Sequence, residues 1–202
     1  MTAELESAVA QKEGSTSAKA CLIHLARHGL LMKADAHLPS VTTIVAGEPV
    51  KASWWSHPLA HTIFFALRDL EEHKDVLLLK LVAGKDTFVH RRLWPETAAI
   101  ALAEEPWQTR RLPPEAQALL DQVSPAGTLE SEGPIARLLE SRLLVHGIQF
   151  HSHEGHHRKR LETWQHWASR ASQPLDDLPP AIEAKRTLQE IWPSARWPWP
   201  KR

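Results

Sequence analysis

Residues 76–92 read VLLLKLVAGKDTFVHRR, and how they are read decides the fold. Val76 to Val82 is a compact apolar run, Ala83-Gly84-Lys85-Asp86 has turn chemistry, and Thr87 to Arg92 is β-prone and ends basic. Two such runs around a glycine turn predict a β-hairpin with a charged end. Strand alternation places His90 and Arg92 on one face of the second strand and Arg91 on the other, with Lys85 at the turn.

Upstream the pattern is helical. Ala18, Cys21, Leu22, Leu25 and Ala26 recur at the spacing of one helical face, and Gly29 offers a stop. Residues 1–17 are polar and close on Gly14-Ser15-Thr16-Ser17, which reads as a frayed, flexible start. Leu38 to Ala46 reads as a short helix, with Pro39 in its first turn and Gly47 past its end. Trp54-Trp55-Ser56-His57-Pro58 is a helix entrance, and Leu59, Ile63, Ala66, Leu67 and Leu70 form the buried stripe that follows.

Downstream, Trp94-Pro95 opens an alanine-rich helix that ends before Pro106, and Pro114 to Val123 is helical. Gly133-Pro134 punctuates, Ile135 to Ser141 is a short helix, Arg142 to Phe150 reads as a strand, and Ser152 to Gly155 as a turn or loop. A last amphipathic helix carries Leu161, Trp164, Trp167 and Ala168 on one face. The stretch from Pro174 ends in WPSARWPWPKR, whose indoles either fold back over the domain or form a free docking peptide. The expected organisation is a flexible start at 1–17, one module at 18–112, a second at 113–172 and a Pro/Trp-rich tail at 173–202.

Composition narrows the function classes. The 202 residues hold 24 Lys+Arg against 24 Asp+Glu, so the chain has no global field to coat DNA or an anionic membrane. Locally, Lys+Arg against Asp+Glu runs 4 to 5 over residues 1–49, 7 to 5 over 50–92, 4 to 9 over 93–154 and 9 to 5 over 155–202. Two small basic surpluses therefore flank an acidic middle. A single cysteine, Cys21, excludes an internal disulfide and cysteine-based zinc modules, and it lies on the apolar face of its helix as a buried, inert thiol. With no signal peptide and no apolar stretch near the length of a membrane span, a cytoplasmic location without membrane contact is expected. The uncommon entries are 13 His, 9 Trp and 15 Pro.

Helix, short helix, helix and hairpin over Ala18 to Arg92 is the element order of a winged helix, and a looser second block repeats it. The chain thus resembles small bacterial winged-helix proteins, including the AlkZ-type DNA-crosslink glycosylases, which are similar in stacking such modules. The resemblance implies an α+β, mostly helical fold of tandem winged-helix-like modules with hairpin wings, and DNA as partner. Those glycosylases rely on a Gln-x-Gln pair. None of Gln108, Gln117, Gln122, Gln149 and Gln165 is so spaced from another glutamine, so glycosylase chemistry is not carried over.

Three constellations carry chemistry. His153-Glu154-Gly155-His156-His157 has the letters of His-Glu-x-x-His, in which two imidazoles one helical turn apart hold zinc and the glutamate activates its water. Gly155 and the strand before it are a poor setting for that helix, which leaves looser metal binding by His151, His153 and His157 or a solvated loop. Arg158, Lys159 and Arg160 follow, so a second wing-like loop would present cations to a phosphate backbone. Adjacent indoles cannot both enter one core from the same side, so Trp55 can face out to stack on a base, with Lys51 nearby for a phosphate. The nucleic-acid set is therefore Lys51, Trp55, Lys85, His90, Arg91, Arg92, Arg158, Lys159 and Arg160. The leading expectation is a non-catalytic DNA-binding protein of repair or transcription that needs no cofactor. A zinc-dependent hydrolase built on His153, Glu154 and His157, and a protein-interaction module using the tail or a winged surface, are the alternatives.

Overall fold

The computed structural model describes residues 3–151 and 157–200. The protein is α+β and divides into two compact units, one formed by Met1–Leu78 with Lys85–Leu93 and the other by Leu79–Gly84 with Trp94–Arg202. The boundary falls between Leu93 and Trp94, not at residue 112. Trp94 is buried and packs edge-on to Trp167, ring centroids 5.4 Å apart, so the alanine-rich helix it opens belongs to the second unit's core.

In the first unit, helix α1 runs unbroken from Ala3 to His28, which corrects the flexible start expected at 1–17. Its Gly14 is a contact residue: a Cβ there would stand 2.5 Å from the Phe65 Cβ and 3.0 Å from the Thr62 carbonyl. The hydroxyls that suggested a loop are tied down. Ser15 donates to the Asp69 carboxylate at 2.7 Å, and Thr16 bonds back to the Lys12 carbonyl at 3.1 Å. Gly29, at φ +87°, ends the helix and turns into β1, Leu30–Met32. Three residues are too few for alternation to announce a strand.

Helix α2, Val41–Ala46, is capped by Ser40, whose hydroxyl accepts from the Thr43 N–H at 3.2 Å, and by Gly47 at φ +76°. A 3-10 turn, Trp54–Ser56, leads into α3, Ala60–Glu71, which buries Thr62, Ile63, Ala66, Leu67 and Leu70. Strands β2, Val76–Val82, and β3, Lys85–His90, make the expected hairpin, and the sheet order is β1-β3-β2 with Leu31 opposite Phe88. The core beneath it gathers Leu25, Leu31, Ile63, Leu70 and Phe88. Because β3 stops at His90, Arg91 and Arg92 lie on a 3-10 turn, Arg91–Leu93, and the facial alternation expected for them does not apply.

The second unit opens with α4, Trp94–Ala101, α5, Pro106–Thr109, and α6, Pro114–Ala126. Next come β4, Thr128–Glu130, α7, Pro134–Ser141, β5, His146–His151, and β6, His157–Glu162. Its antiparallel sheet has the order β4-β6-β5, the same first-third-second arrangement as in the first unit. Ala116, Val123, Ala136, Leu139, Val145 and Leu161 form the core. Arg158, Lys159 and Arg160 are strand residues of β6, not the wing-like loop expected for them.

Two further helices close the unit: α8, Trp164–Ala171, and α9, Ala181–Ile191, which packs on α4. The stretch expected to be a tail thus contains a helix, and Trp192, Trp197 and Trp199 beyond it are buried. The Arg196 carbonyl accepts the Ala83 N–H at 2.7 Å, which pins the chain end to the hairpin turn. Among the described residues no helix is long and apolar enough to cross a membrane.

Candidate nucleic-acid interface

A group of cations lies in the first unit, where the end of α1, the turn before β2 and the end of β3 meet. Backbone bonds bring the three segments together: the His90 N–H donates to the Gly29 carbonyl at 2.9 Å and the Arg91 N–H to the Asp75 carbonyl at 2.8 Å. The Arg92 guanidinium donates to the Arg27 carbonyl at 3.2 Å and so sits on the negative end of the α1 dipole. Arg27, Lys74, Arg91 and Arg92 are then joined by His24, His28, His73 and His90. One carboxylate, Asp75, lies among them, held by Lys74 at 2.9 Å and Arg91 at 3.1 Å, with Glu72 beside His73.

The crowding shows in the titration of these groups. Burial lowers the pKa of His90 most; Asp75 opposes this, and Arg92, His73 and Arg91 lower it further. Burial also lowers His24, helped by the charges of His28 and Arg27, and the His24 and His28 rings lie 4.4 Å apart. The bond from Lys74 lowers Asp75, burial opposes that, and Lys74's charge and Arg91 lower it further.

Of the residues singled out in the sequence, His90, Arg91 and Arg92 therefore share one surface. Arg27, His28, His73 and Lys74 complete it and were missed, because they come from segments 16 or more residues away in the chain that only the tertiary structure joins. Lys85 is at the far end of β3, about 16 Å along the strand from His90. It pairs with Asp35 at 2.8 Å. Burial pushes the Asp35 carboxyl up, but the Lys85 bond and the N–H groups of His37 and Leu38 outweigh it and hold the pKa at about 2.

Lys51 and Trp55 are exposed ahead of α3. In the second unit, alternation along β6 turns Lys159 inward to Glu140 at 2.7 Å and leaves Arg158 and Arg160 exposed, with Arg160 lying over the Phe150 ring at 4.8 Å. Gly147 lets the Glu140 carboxylate lie against β5, where any Cβ would collide with it. His151 and His157 are backbone register partners in the β5–β6 ladder. The strand assignment of His157 is not the helical setting His-Glu-x-x-His needs, while His153 and Glu154 lie outside the described residues.

Compared with protein-family models, curated proteins and solved structures, the chain matches none of them. Functional assignment therefore rests on the geometry of its own residues.

Two other features have a hydrolytic look. In the second unit the buried His146 Nδ1 is 2.8 Å from the buried Glu162 carboxylate, which also takes two bonds from Arg170, at 2.6 and 3.3 Å. An imidazole held by a carboxylate could serve as a base, but the neighbouring Trp164 indole covers it with ring centroids 5.9 Å apart. That arrangement is a packed strand-to-helix tie. A groove of about 330 Å³ is lined by Leu102, Glu104, Leu120, Ser124, Thr163 and Trp164. Its hydroxyls are committed locally, Ser124 to the Leu120 carbonyl and Thr163 to the His166 N–H. The Cys21 thiol is buried and pushed up to about 12 by that burial, which makes it a poor nucleophile.

Proposed function

We propose that this chain is a non-catalytic DNA-binding protein of two winged-helix-like modules, serving repair or transcription. The observation that carries the reading is the cation cluster of Arg27, Lys74, Arg91 and Arg92, with four histidines and Asp75 among them. Four such cations on one surface suit contacts to successive phosphates, which give affinity without sequence preference. Further support comes from the two sheets: each follows a helix and a short strand, closes with a hairpin and has the order first-third-second. Arg158 and Arg160 on β6, and Lys85 at the first hairpin turn, are secondary phosphate contacts.

Neutral overall charge sets the strength. Four phosphate contacts correspond to a slope of about −3.6 in log affinity against log salt, or about 100-fold between 50 and 200 mM. Fluorescence anisotropy with a labelled blunt duplex should show that dependence. The double variant Arg91→Ala/Arg92→Ala should flatten the slope by about 2. Binding that is absent at low salt, or unmoved by salt, overturns the reading.

A further inference from the structure

The 3-10 turn Trp54–Ser56 and the outer side of α3 form an aromatic surface made of different residues from the cation cluster. Trp55 is 61% exposed, Phe64 38% and Leu59 36%. The Trp54 ring stacks on that of Trp55 with centroids 4.0 Å apart and planes inclined by 26°, and Phe64 lies 6.0 Å from Trp55. Elsewhere the fold buries Trp94, Trp164, Trp167, Trp192, Trp197 and Trp199. An indole left largely in water forgoes the burial that the fold gives the others, and here two more exposed apolar side chains accompany it.

Cations border this surface along the chain, and α1 brings one carboxylate to α3, Glu13, which accepts from the Thr62 hydroxyl at 3.5 Å. Residues 49–68 contain Lys51, His57, His61 and Arg68 and no Asp or Glu. His61, Phe64 and Arg68 follow one another at helical spacing and share a face of α3. The next carboxylate, Asp69, is already engaged by Ser15 at 2.7 Å and Arg68 at 3.2 Å.

A stacked indole pair fringed by cations suits one class of ligand. An unpaired nucleic-acid strand offers flat π faces to extend the Trp54–Trp55 stack and phosphates for Lys51, His61 and Arg68. An acidic peptide supplies the charge without the planar faces, and an intact duplex keeps its bases stacked on one another. We infer that Trp55 and Phe64 form a stacking platform for the bases of an unpaired strand. This rests on the nucleic-acid reading above but on separate residues, so the two can fail separately.

The test compares a labelled oligo-dT of about 12 nucleotides with a blunt duplex, using the full chain at low salt. Trp55→Ala should weaken oligo-dT binding by about 10-fold or more and leave duplex binding within about two-fold, while Trp55→Phe keeps most of it. Arg91→Ala/Arg92→Ala should weaken the duplex more. Because Trp55 is exposed, its variants fold, and circular dichroism melts check this. The inference is overturned if wild type binds duplex but not oligo-dT, or if Trp55→Ala leaves oligo-dT affinity unchanged. It is also overturned if polyglutamate binds as well as oligo-dT and is lost equally in Trp55→Ala, which would assign the surface to an acidic peptide. Failure to bind either nucleic acid removes the function proposed above together with this inference.

Discussion

Single positions show how a backbone requirement can be hidden behind an ordinary residue. Ala83 sits at φ +53° before Gly84 at φ +67°, the left-handed pair that a two-residue hairpin turn needs. An alanine there carries about 1 kcal/mol of strain, which asparagine tolerates better. Ala83→Asn should therefore stabilise the protein by about 0.5–1 kcal/mol, read as a rise of about 2 °C in the thermal midpoint. Gly14 makes the opposite case. Gly→Ala inside a helix ordinarily gains about 1 kcal/mol. Here the new Cβ would meet the Phe65 Cβ and the Thr62 carbonyl, which no rotamer change relieves, so Gly14→Ala should lower stability by about 1–2 kcal/mol in urea unfolding. The sequence offered Gly14 as a loop signal because glycine in a packed helix and glycine in a loop are written with the same letter.

Elements are joined by a few polar ties that neither partner announces alone. Glu162 on β6 is 1% exposed and holds His146 of β5 and Arg170 of α8. Burial pushes its carboxyl up, yet the bonds from His146 and Arg170 and their charges outweigh it, so its pKa lies below the ordinary 4.5. Glu162→Gln leaves two donors without their carboxylate and should cost about 2–3 kcal/mol, measured by urea unfolding at neutral pH. A carboxylate whose folded pKa is depressed contributes stability above its unfolded value, and loses it as pH falls through the folded one. The wild-type midpoint should therefore drop below pH 4.5, and that part of the drop should be absent in Glu162→Gln. The β6 cations show the limit of sequence reading at this scale. Strand alternation sorts Lys159 from Arg158 and Arg160 once the strand is known, but the histidine-rich run before it hid the strand.

For the whole molecule, the histidines link pH to both stability and binding. His24 and His90 have folded pKa values below the ordinary 6.5, so the stability they contribute is present above pH 6.5 and is lost as pH falls toward their folded values. Their protonation adds positive charge beside Arg27, Arg91 and Arg92. Lowering pH from 7.5 to 5.5 should thus strengthen duplex binding while lowering the melting midpoint, and anisotropy and calorimetry on the same samples should move in opposite senses. The end of the chain is a second whole-molecule feature. Trp192, Trp197 and Trp199 are 8%, 8% and 5% exposed, and their removal takes away burial worth about 5 kcal/mol or more, comparable with a domain's entire stability. Deleting 192–202 should abolish cooperative unfolding of the second unit, whereas a free docking peptide could be removed without moving the midpoint.

Local information in the chain was enough for the first hairpin, the stripe of Ile63, Ala66, Leu67 and Leu70 on α3, the Gly47 cap of α2 and the inert Cys21, but not for Leu59, which is exposed, or for the Ser40 cap, which starts α2 two residues beyond Pro39. Each feature that was legible depends on contacts between near neighbours, on a run of apolar side chains or on a residue with special backbone freedom. Tertiary structure alone decided that α1 continues through Gly14, that Trp94 belongs to the second unit, that the terminal indoles are buried, and that Arg27, His28, His73 and Lys74 stand beside His90, Arg91 and Arg92. Those outcomes depend on partners distant in sequence. A close helix crossing, a buried ring or a cluster of cations arises when the chain doubles back, and no spacing along the chain records which segments will meet.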